Sequence, residues 1–226
     1  MKLLAIETAT EACSAALYID GAISERYEVA PRRHAELILS MMEQLLAEAE
    51  LKLSQLDVLA FGRGPGSFTG VRIATGVIQG AAFGAELPVV PVSTLAALAQ
   101  RYYRMNGARR ILPAFDARMQ EIYWAAYEVA DDDLVSLVGA EQVAAPELVE
   151  LPEGEGWCGV GTGWTSYSEI LTQRMGCCLS AVEGDLFCSA QDVAQLAVRG
   201  YRSGEAVSAE FALPVYLRDQ VAKKPK

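Results

Sequence analysis

Along the first half of the chain, apolar residues change from strand-like runs to helical periodicity. Three apolar-rich segments open the chain, separated by the turn-forming pairs Thr10-Glu11 and Asp20-Gly21, and they predict strands at 2–6, 13–19 and 22–29. The pattern that follows predicts helix, strand, helix, strand and helix in turn, over 34–49, 58–61, 69–85, 88–92 and 93–104. The predicted order is therefore βββαβαβα.

The pattern begins again after residues 105–110, a polar segment that predicts a linker. Further strands are predicted at 111–116, 121–129, 134–138 and 157–160. Helices are predicted at 146–150, where the helix is short, and at 164–175 and 190–201. This repetition predicts an α/β fold of two related lobes, residues 1–104 and residues 105–226, with a last segment that can return to the first lobe.

Composition excludes a disordered chain, because 52% of the 226 residues are apolar. The balance of 19 basic against 29 acidic residues gives a net charge of −10. Since an acidic surface repels phosphate backbones, an independent nucleic-acid-binding protein is not expected. A basic cluster stands at the C-terminus, and we interpret it as a solvated tail: Arg218, Lys223, Lys224 and Lys226.

The sequence also predicts a cytoplasmic protein that makes no membrane contact. Its longest uncharged stretches, 73–85 and 87–100, are shorter than the roughly 18 residues of a membrane span. Glu7 interrupts the apolar N-terminus before a signal-peptide core can form. The five cysteines are odd in number and include no CxxC pair, which indicates free thiols in a reducing compartment.

A single histidine, His34, limits the catalytic chemistry that the chain can offer. It excludes sites that need two histidines, such as HExxH, and we expect it to be a partly exposed residue in the first turn of its helix rather than a base. No Ser/His/Asp or Cys/His set has a plausible spacing, and nothing marks Cys177 or Cys178 as an activated thiolate. Proteolysis is therefore not expected.

The densest motif is the glycine-rich segment 61–73, FGRGPGSFTGVRI, which joins a predicted strand to a predicted helix. Helix N-termini bind anions through free N–H groups, and glycines let a backbone approach a phosphate closely. The segment lacks the Gly-Lys-Ser/Thr ending of a P-loop and the spacing of a GxGxxG fingerprint. From these residues, a tight structural turn and a phosphate site both stay open.

Two predicted helices carry more apolar surface than one core can cover. On the first, apolar side chains span about 160°, wider than the roughly 100° stripe of a helix that faces a single core. The second has glycines at four-residue spacing, each costing roughly 1 kcal/mol relative to alanine. Either close packing within the lobe or a partner helix would explain these glycines. The predicted partner interface comprises Ile38, Leu39, Met42, Leu46, Gly76, Gly80, Phe83 and Gly84.

Five blocks spread over nearly the whole chain resemble one known family. They are LAIETAT at 4–10, GPGSFTGVR at 64–72, PVSTL at 91–95, DARM at 116–119 and PVYLR at 214–218. In order and in sequence they are similar to the blocks of the TsaB family, formerly called YeaZ. The resemblance implies the actin-like fold of sugar kinases and heat-shock ATPases (ASKHA), with two βββαβαβα-type lobes.

The resemblance also implies a role in making threonylcarbamoyladenosine on tRNAs that read ANN codons. In that family the catalytic subunit is the paralogue TsaD, which binds a metal and transfers threonylcarbamoyl from its adenylate to the tRNA. TsaB is a non-catalytic partner that pairs with TsaD through its first two helices, here 34–49 and 69–85, and pairs with itself when alone. The ATPase TsaE joins at the seam, and tRNA is expected to contact this chain only indirectly.

The nucleotide cleft of actin-like ATPases would survive here only as a remnant, formed by Glu7, Gly64, Gly66, Asp116 and Gly161. No cofactor is expected, and no metal, because the paralogue's metal site needs two histidines where this chain has only His34. Two alternatives stay open. One is a small ATPase or kinase that holds Mg-ATP with Glu7, Asp116 and the 64–70 loop. The other is a homodimeric interaction module with no tRNA role.

Overall fold

The first half of the chain forms a five-stranded mixed sheet with helices on both faces. The computed structural model describes residues 1–218. The elements are β1 Lys2–Glu7, β2 Ala12–Ile19, β3 Ala22–Val29, α1 His34–Glu48, β4 Val58–Gly62, α2 Phe68–Ala85, β5 Val89–Val92 and α3 Thr94–Asn106. The strand order is β3-β2-β1-β4-β5; β1, β2 and β3 pair antiparallel, whereas β1, β4 and β5 run parallel.

The second half repeats this topology in a second five-stranded sheet, with the order β10-β9-β6-β7-β8. Its elements are β6 Arg110–Asp116, β7 Ile122–Val129, β8 Val135–Ala144, β9 Trp157–Val160, α4 Thr162–Ser166, α5 Ser168–Met175, β10 Leu179–Glu183 and α6 Ala190–Arg202. From its antiparallel edge, the second sheet has the order β8-β7-β6-β9-β10. This order matches β3-β2-β1-β4-β5, since each lobe places its third, second, first, fourth and fifth strands side by side. The two halves are therefore related lobes.

Sequence patterns place most elements within two residues of their observed ends, but four predictions in the second half are wrong. Residues 146–150 form a turn instead of a short helix, and the helix predicted at 164–175 is two helices that break at Tyr167, where φ is −131°. Strand β10 was not predicted. The strand predicted at 134–138 is β8, which continues past Gly139, a glycine with φ of +76°, to Ala144. Both strands are largely exposed edges, so they lack the apolar pattern that marks a buried strand.

Helices and sheets alternate in five layers. One face of the first sheet, with Leu4 and Ile6 of β1, packs against α1 and α2. Its other face, with Leu3 and Ala5, packs in the core that α3 and α6 share with the second sheet. The outer face of the second sheet packs on α4 and α5 around Trp164. Because β1 is buried on both faces, its sequence is a continuous apolar run instead of an alternating one.

Helix α6 and the residues that follow it lie against the first sheet. Helix α6 begins where Ala190 N–H donates to Ser14 Oγ at 2.9 Å, and the buried carboxylate of Asp192 receives two bonds of 2.9 Å from the Arg104 guanidinium. Val207 then pairs with Val89 at the edge strand β5. Within the described residues, no helix is both long and apolar enough to cross a membrane.

Candidate functional site

The glycine-rich loop between β4 and α2 packs directly on the turn between β1 and β2. Thr8 Oγ1 donates to the Gly70 carbonyl at 2.7 Å, and Ser67 N–H donates to the Ala9 carbonyl at 2.8 Å. A Cβ atom on Gly70 would lie 2.0 Å from the Thr8 carbonyl oxygen, and one on Gly66 would lie 2.6 Å from that of Ala9. These two glycines are therefore required by contact of backbone with backbone inside the lobe.

Gly64, the third predicted cleft glycine, is enclosed from two sides. Its N–H donates to Thr94 Oγ1 at 3.1 Å, and its carbonyl accepts from Thr94 N–H at 3.0 Å. Its φ is +98°, a conformation that favours glycine, and an added Cβ would lie 3.0 Å from the Val215 carbonyl oxygen. The loop thus meets protein backbone at the positions where a phosphate would have to approach.

Glu7 ends β1 with its side chain fully buried. One carboxylate oxygen accepts from Ala9 N–H at 2.5 Å, and the other has no hydrogen-bond partner among residues 1–218. The side chain occupies the space that a Cβ of Gly62 would need, since Oε2 lies 1.7 Å from that position. Burial raises the pKa of Glu7 to about 7, against the lowering effect of its backbone hydrogen bonds. The predicted cleft acid is therefore enclosed by protein.

The two cleft residues of the second lobe are also engaged internally. The Asp116 carboxylate accepts from Arg118 N–H at 2.8 Å and from its guanidinium at 3.1 Å, which closes the β6–β7 turn. Gly161 has φ of +94° and precedes α4, and a Cβ there would lie 2.6 Å from the Ala114 carbonyl oxygen. All the predicted cleft residues except Gly64 thus contact the first hairpin of their own lobe.

Two cavities of this chain lie away from the predicted cleft. A groove of about 550 Å³ runs between the end of α2 and residues 206–210, and a pocket of about 120 Å³ lies beside Trp124. Neither is lined by a residue of the predicted cleft. Within residues 1–218, no group of three His, Cys, Asp or Glu side chains is placed to hold a metal ion.

His34 corrects a prediction: it is buried, with 8% of its surface exposed, and its Nε2 lies 2.8 Å from the Thr10 carbonyl oxygen. The reason is that α1 starts against the β1–β2 turn, whose carbonyl needs a hydrogen-bond partner. The described cysteines are all free thiols, and burial raises the pKa of Cys13 to about 12 and that of Cys188 well above its ordinary value. Neither Cys13 nor Cys188 is therefore an activated nucleophile.

The basic C-terminal cluster is only partly described. Lys223, Lys224 and Lys226 lie outside the described residues. Arg218 is not part of a solvated tail: its side chain is 17% exposed and is ion-paired with Glu121 of the second lobe. Sequence reasoning missed this contact because a charge run carries no signal for its partner 97 residues away.

The predicted interface residues divide between core and surface. Ile38 and Met42 are buried in the core under α1, so in the single chain their side chains offer no surface to a partner. Leu46 is half-buried, whereas Leu39 and Phe83 are 54% and 81% exposed. The last three glycines of α2 are also exposed, and in the described part of the chain a Cβ on any of them would meet nothing within 4 Å: Gly76, Gly80 and Gly84. Packing within the lobe therefore does not explain these glycines.

Two lobes that share one strand order, with helices between and outside their sheets, define the actin-like class of α/β proteins. A family model described as "TsaD: tRNA N6-adenosine threonylcarbamoyltransferase" matches residues 26–226. The Escherichia coli protein named tRNA threonylcarbamoyladenosine biosynthesis protein TsaB is 45% identical over 99% of this chain and 97% of its own length. Its Haemophilus influenzae namesake is 39% identical over 99% and 96%.

A solved structure agrees with these relatives. The structure described as YeaZ from Pseudomonas aeruginosa is 49% identical, covers 96% of this chain and 99% of its own, and superposes with a TM-score of 0.90. The chain belongs to the TsaB family, also called YeaZ.

Contact between the β1–β2 turn and α2 predicts opposite effects for two glycines of that helix. Gly70→Ala places a methyl group against the Thr8 carbonyl, so we expect it to lower the free energy of unfolding by about 3 kcal/mol. Gly76→Ala, in open space on the same helix, should raise it by roughly 0.5–1 kcal/mol. Urea unfolding of both variants measures the difference, and equal effects would contradict the close contact.

Burial of Glu7 predicts that Glu7→Gln changes the pH dependence of stability. The pKa of Glu7 is raised from its ordinary value of 4.5 to about 7 in the folded chain, so the folded state holds this proton more tightly than the unfolded state. The stabilisation that the proton gives is therefore lost as the pH rises from about 4.5 to about 7. Between pH 5 and pH 8, we expect the free energy of unfolding of Glu7→Gln to rise by about 2–3 kcal/mol relative to that of wild type.

Urea unfolding at the two pH values provides this measurement. Glu43→Gln is the matched control, since Glu43 is an exposed residue of α1. A Glu7→Gln advantage that did not differ between pH 5 and pH 8 would show that the folded chain holds Glu7 ionised throughout.

Proposed function

We propose that this chain is a non-catalytic subunit of the machinery that makes threonylcarbamoyladenosine in tRNAs reading ANN codons, and that it acts by pairing with TsaD. The names of its relatives, at 45% and 39% identity over nearly the whole chain, support the pathway. The observation that carries the pairing role is the exposed face of α1 and α2. We call it the glycine face: Leu39, Leu46, Gly76, Gly80, Phe83 and Gly84.

The three glycines of the glycine face lower the stability of α2 in a single chain. Each weakens the helix by roughly 1 kcal/mol relative to alanine, and a helix of 18 residues has no conformational need for them. A glycine stripe lets a second helix approach the backbone of α2 closely, while Leu39 and Phe83 at its sides supply exposed apolar area that pairing would bury. The face therefore suits a helical partner.

TsaD is the partner that the family relationship favours. A model of the TsaD family matches residues 26–226, so the two chains share a topology and can present equivalent helices to each other. The same geometry lets two copies of this chain pair about a two-fold axis when TsaD is absent. Pairing would stabilise TsaD in its active arrangement and create a seam where TsaE docks, and such a complex would work in the cytoplasm.

The state of the cleft residues supports a non-catalytic role. Glu7 is enclosed, Asp116 closes its own turn, and the loop glycines contact backbone of the same chain. With a net charge of −10, this chain would leave the tRNA contacts to its partner and meet the tRNA only indirectly.

Light scattering on a sizing column tests the pairing directly. Mixing this chain with TsaD from the same organism should give a 1:1 heterodimer at the expense of the homodimer. Gly80→Leu places a bulky side chain on the stripe and Leu46→Glu places a charge at its edge, so each should weaken the complex at least tenfold, about 1.4 kcal/mol, and leave the chain folded. Leu137→Glu, at an exposed leucine on the second lobe, should pair like wild type.

Wild-type affinity in both glycine-face variants would show that this face is not the interface. If the wild-type chain failed to pair with TsaD at all, a calorimetric titration with Mg-ATP would test the ATPase or kinase alternative. Deletion of the gene, followed by measurement of the modified nucleoside and rescue by this chain, separates the tRNA role from a plain homodimeric module.

A further inference from the structure

The last described residues run back along α2 and then cross to the second lobe. We call residues 212–218 the C-terminal strap. Gln79 of α2 donates from Nε2 to the Ala212 carbonyl at 3.1 Å, and Val215 N–H donates to the Arg63 carbonyl at 2.8 Å. The strap thus follows α2 toward its first turn and reaches the glycine-rich loop.

An aromatic and cationic cluster anchors the strap to α2. The Tyr216 ring centroid lies 6.2 Å from that of Phe68, the first residue of the helix. The Arg72 guanidinium lies 3.4 Å from the Phe68 centroid and 5.5 Å from the Tyr216 centroid, within the range of a cation–π contact. Arg72 thereby joins the two rings, one from the helix and one from the strap.

Beyond this anchor, Arg218 reaches the β6–β7 turn of the second lobe. Its Nε donates to the Glu121 carboxylate at 3.0 Å, and its Nη2 donates to the same oxygen and to the Arg118 carbonyl at 3.4 Å. A planar guanidinium suits this shared binding of a carboxylate and a carbonyl. The strap therefore joins the glycine-rich loop of one lobe to a hairpin of the other, outside the apolar core around α3.

The turn that Arg218 holds is strained. Three consecutive residues without the freedom of glycine, Arg118, Met119 and Gln120, have φ of 61°, 57° and 64°. Such conformations persist where the surroundings fix them from several sides. Here Asp116 binds the turn from inside through the Arg118 N–H, and Arg218 binds it from outside. Loss of the Arg218 contact would therefore allow this strained turn to relax.

We propose that the C-terminal strap is a latch between the two lobes and that Arg218 is its positioning residue. Latched, the strap covers Gly64 and fixes the β6–β7 turn relative to the glycine-rich loop. Released, the turn relaxes toward ordinary backbone conformations and the loop loses its cover. The latch acts within one chain, so it stands or falls separately from pairing with TsaD.

Hydrogen exchange of the full chain, followed by mass spectrometry, tests the latch. In Arg218→Ala we expect amide exchange about tenfold faster in two segments from different lobes, 63–70 and 117–121, with the sheet cores unchanged. The charge swap of Arg218→Glu with Glu121→Arg should restore only the part of the protection that the ion pair supplies, because Glu cannot donate to the Arg118 carbonyl. Glu121→Gln keeps the shape of the side chain, removes its charge, and should give a smaller increase in the same two segments.

Arg110→Ala is the matched control, because its ion pair with Glu128 has a comparable N–O distance of 2.9 Å but lies within the second lobe. It should leave both segments at wild-type exchange. Three results for Arg218→Ala would each overturn the latch: unchanged exchange, faster exchange in 117–121 alone, or an equal rise across every peptide. Faster exchange in 117–121 alone would show that Arg218 stabilises only its own turn. An equal rise across every peptide would show that Arg218 contributes only to global stability.

Discussion

The fold depends on one contact of backbone with backbone, where residues 66–70 lie on the turn at Thr8 and Ala9. The carbonyl of Thr8 occupies the space of a Gly70 side chain, and that of Ala9 occupies the space of a Gly66 side chain. This contact sets the distance between α2 and the central strand β1. It therefore also sets which side of α2 faces the core and which side carries the exposed glycines.

The same contact explains why the predicted cleft residues face protein atoms of this chain. A glycine-rich loop at a helix N-terminus is able to cradle an anion when its N–H groups face an open space. In this chain the Ser67 N–H donates to Ala9, the Gly64 N–H donates to Thr94, and the Val215 carbonyl lies over Gly64. Burial also raises the pKa of Glu7, so near neutral pH this enclosed carboxyl is less ionised than an exposed one and less suited to hold a cation. Residues that resemble a nucleotide site thus make structural contacts within this chain.

Sequence reasoning succeeded where a local pattern determines the structure. The continuous apolar run of β1, the Ser93 cap that accepts from Ala96 N–H, and the repeated order of elements all follow from short-range rules. It failed where the outcome depends on distant partners. His34 is buried because a turn 24 residues away offers a carbonyl, and the arc of apolar residues on α1 could not separate Met42 in the core from Leu39 on the surface. The exposed edges β8 and β10 were mispredicted because exposure removes the apolar signal.

Helix α2 carries both the glycine face and the anchor of the C-terminal strap. Its 18 residues span about 27 Å as one rigid element. The glycine face begins at Gly76 and continues to the C-terminal end, whereas Phe68 and Arg72 in the first turns hold the strap. A partner bound to the glycine face would therefore contact the same rigid helix as the strap. Any shift of α2 on pairing would move the anchor of the strap, and through Arg218 it would act on the strained β6–β7 turn of the other lobe.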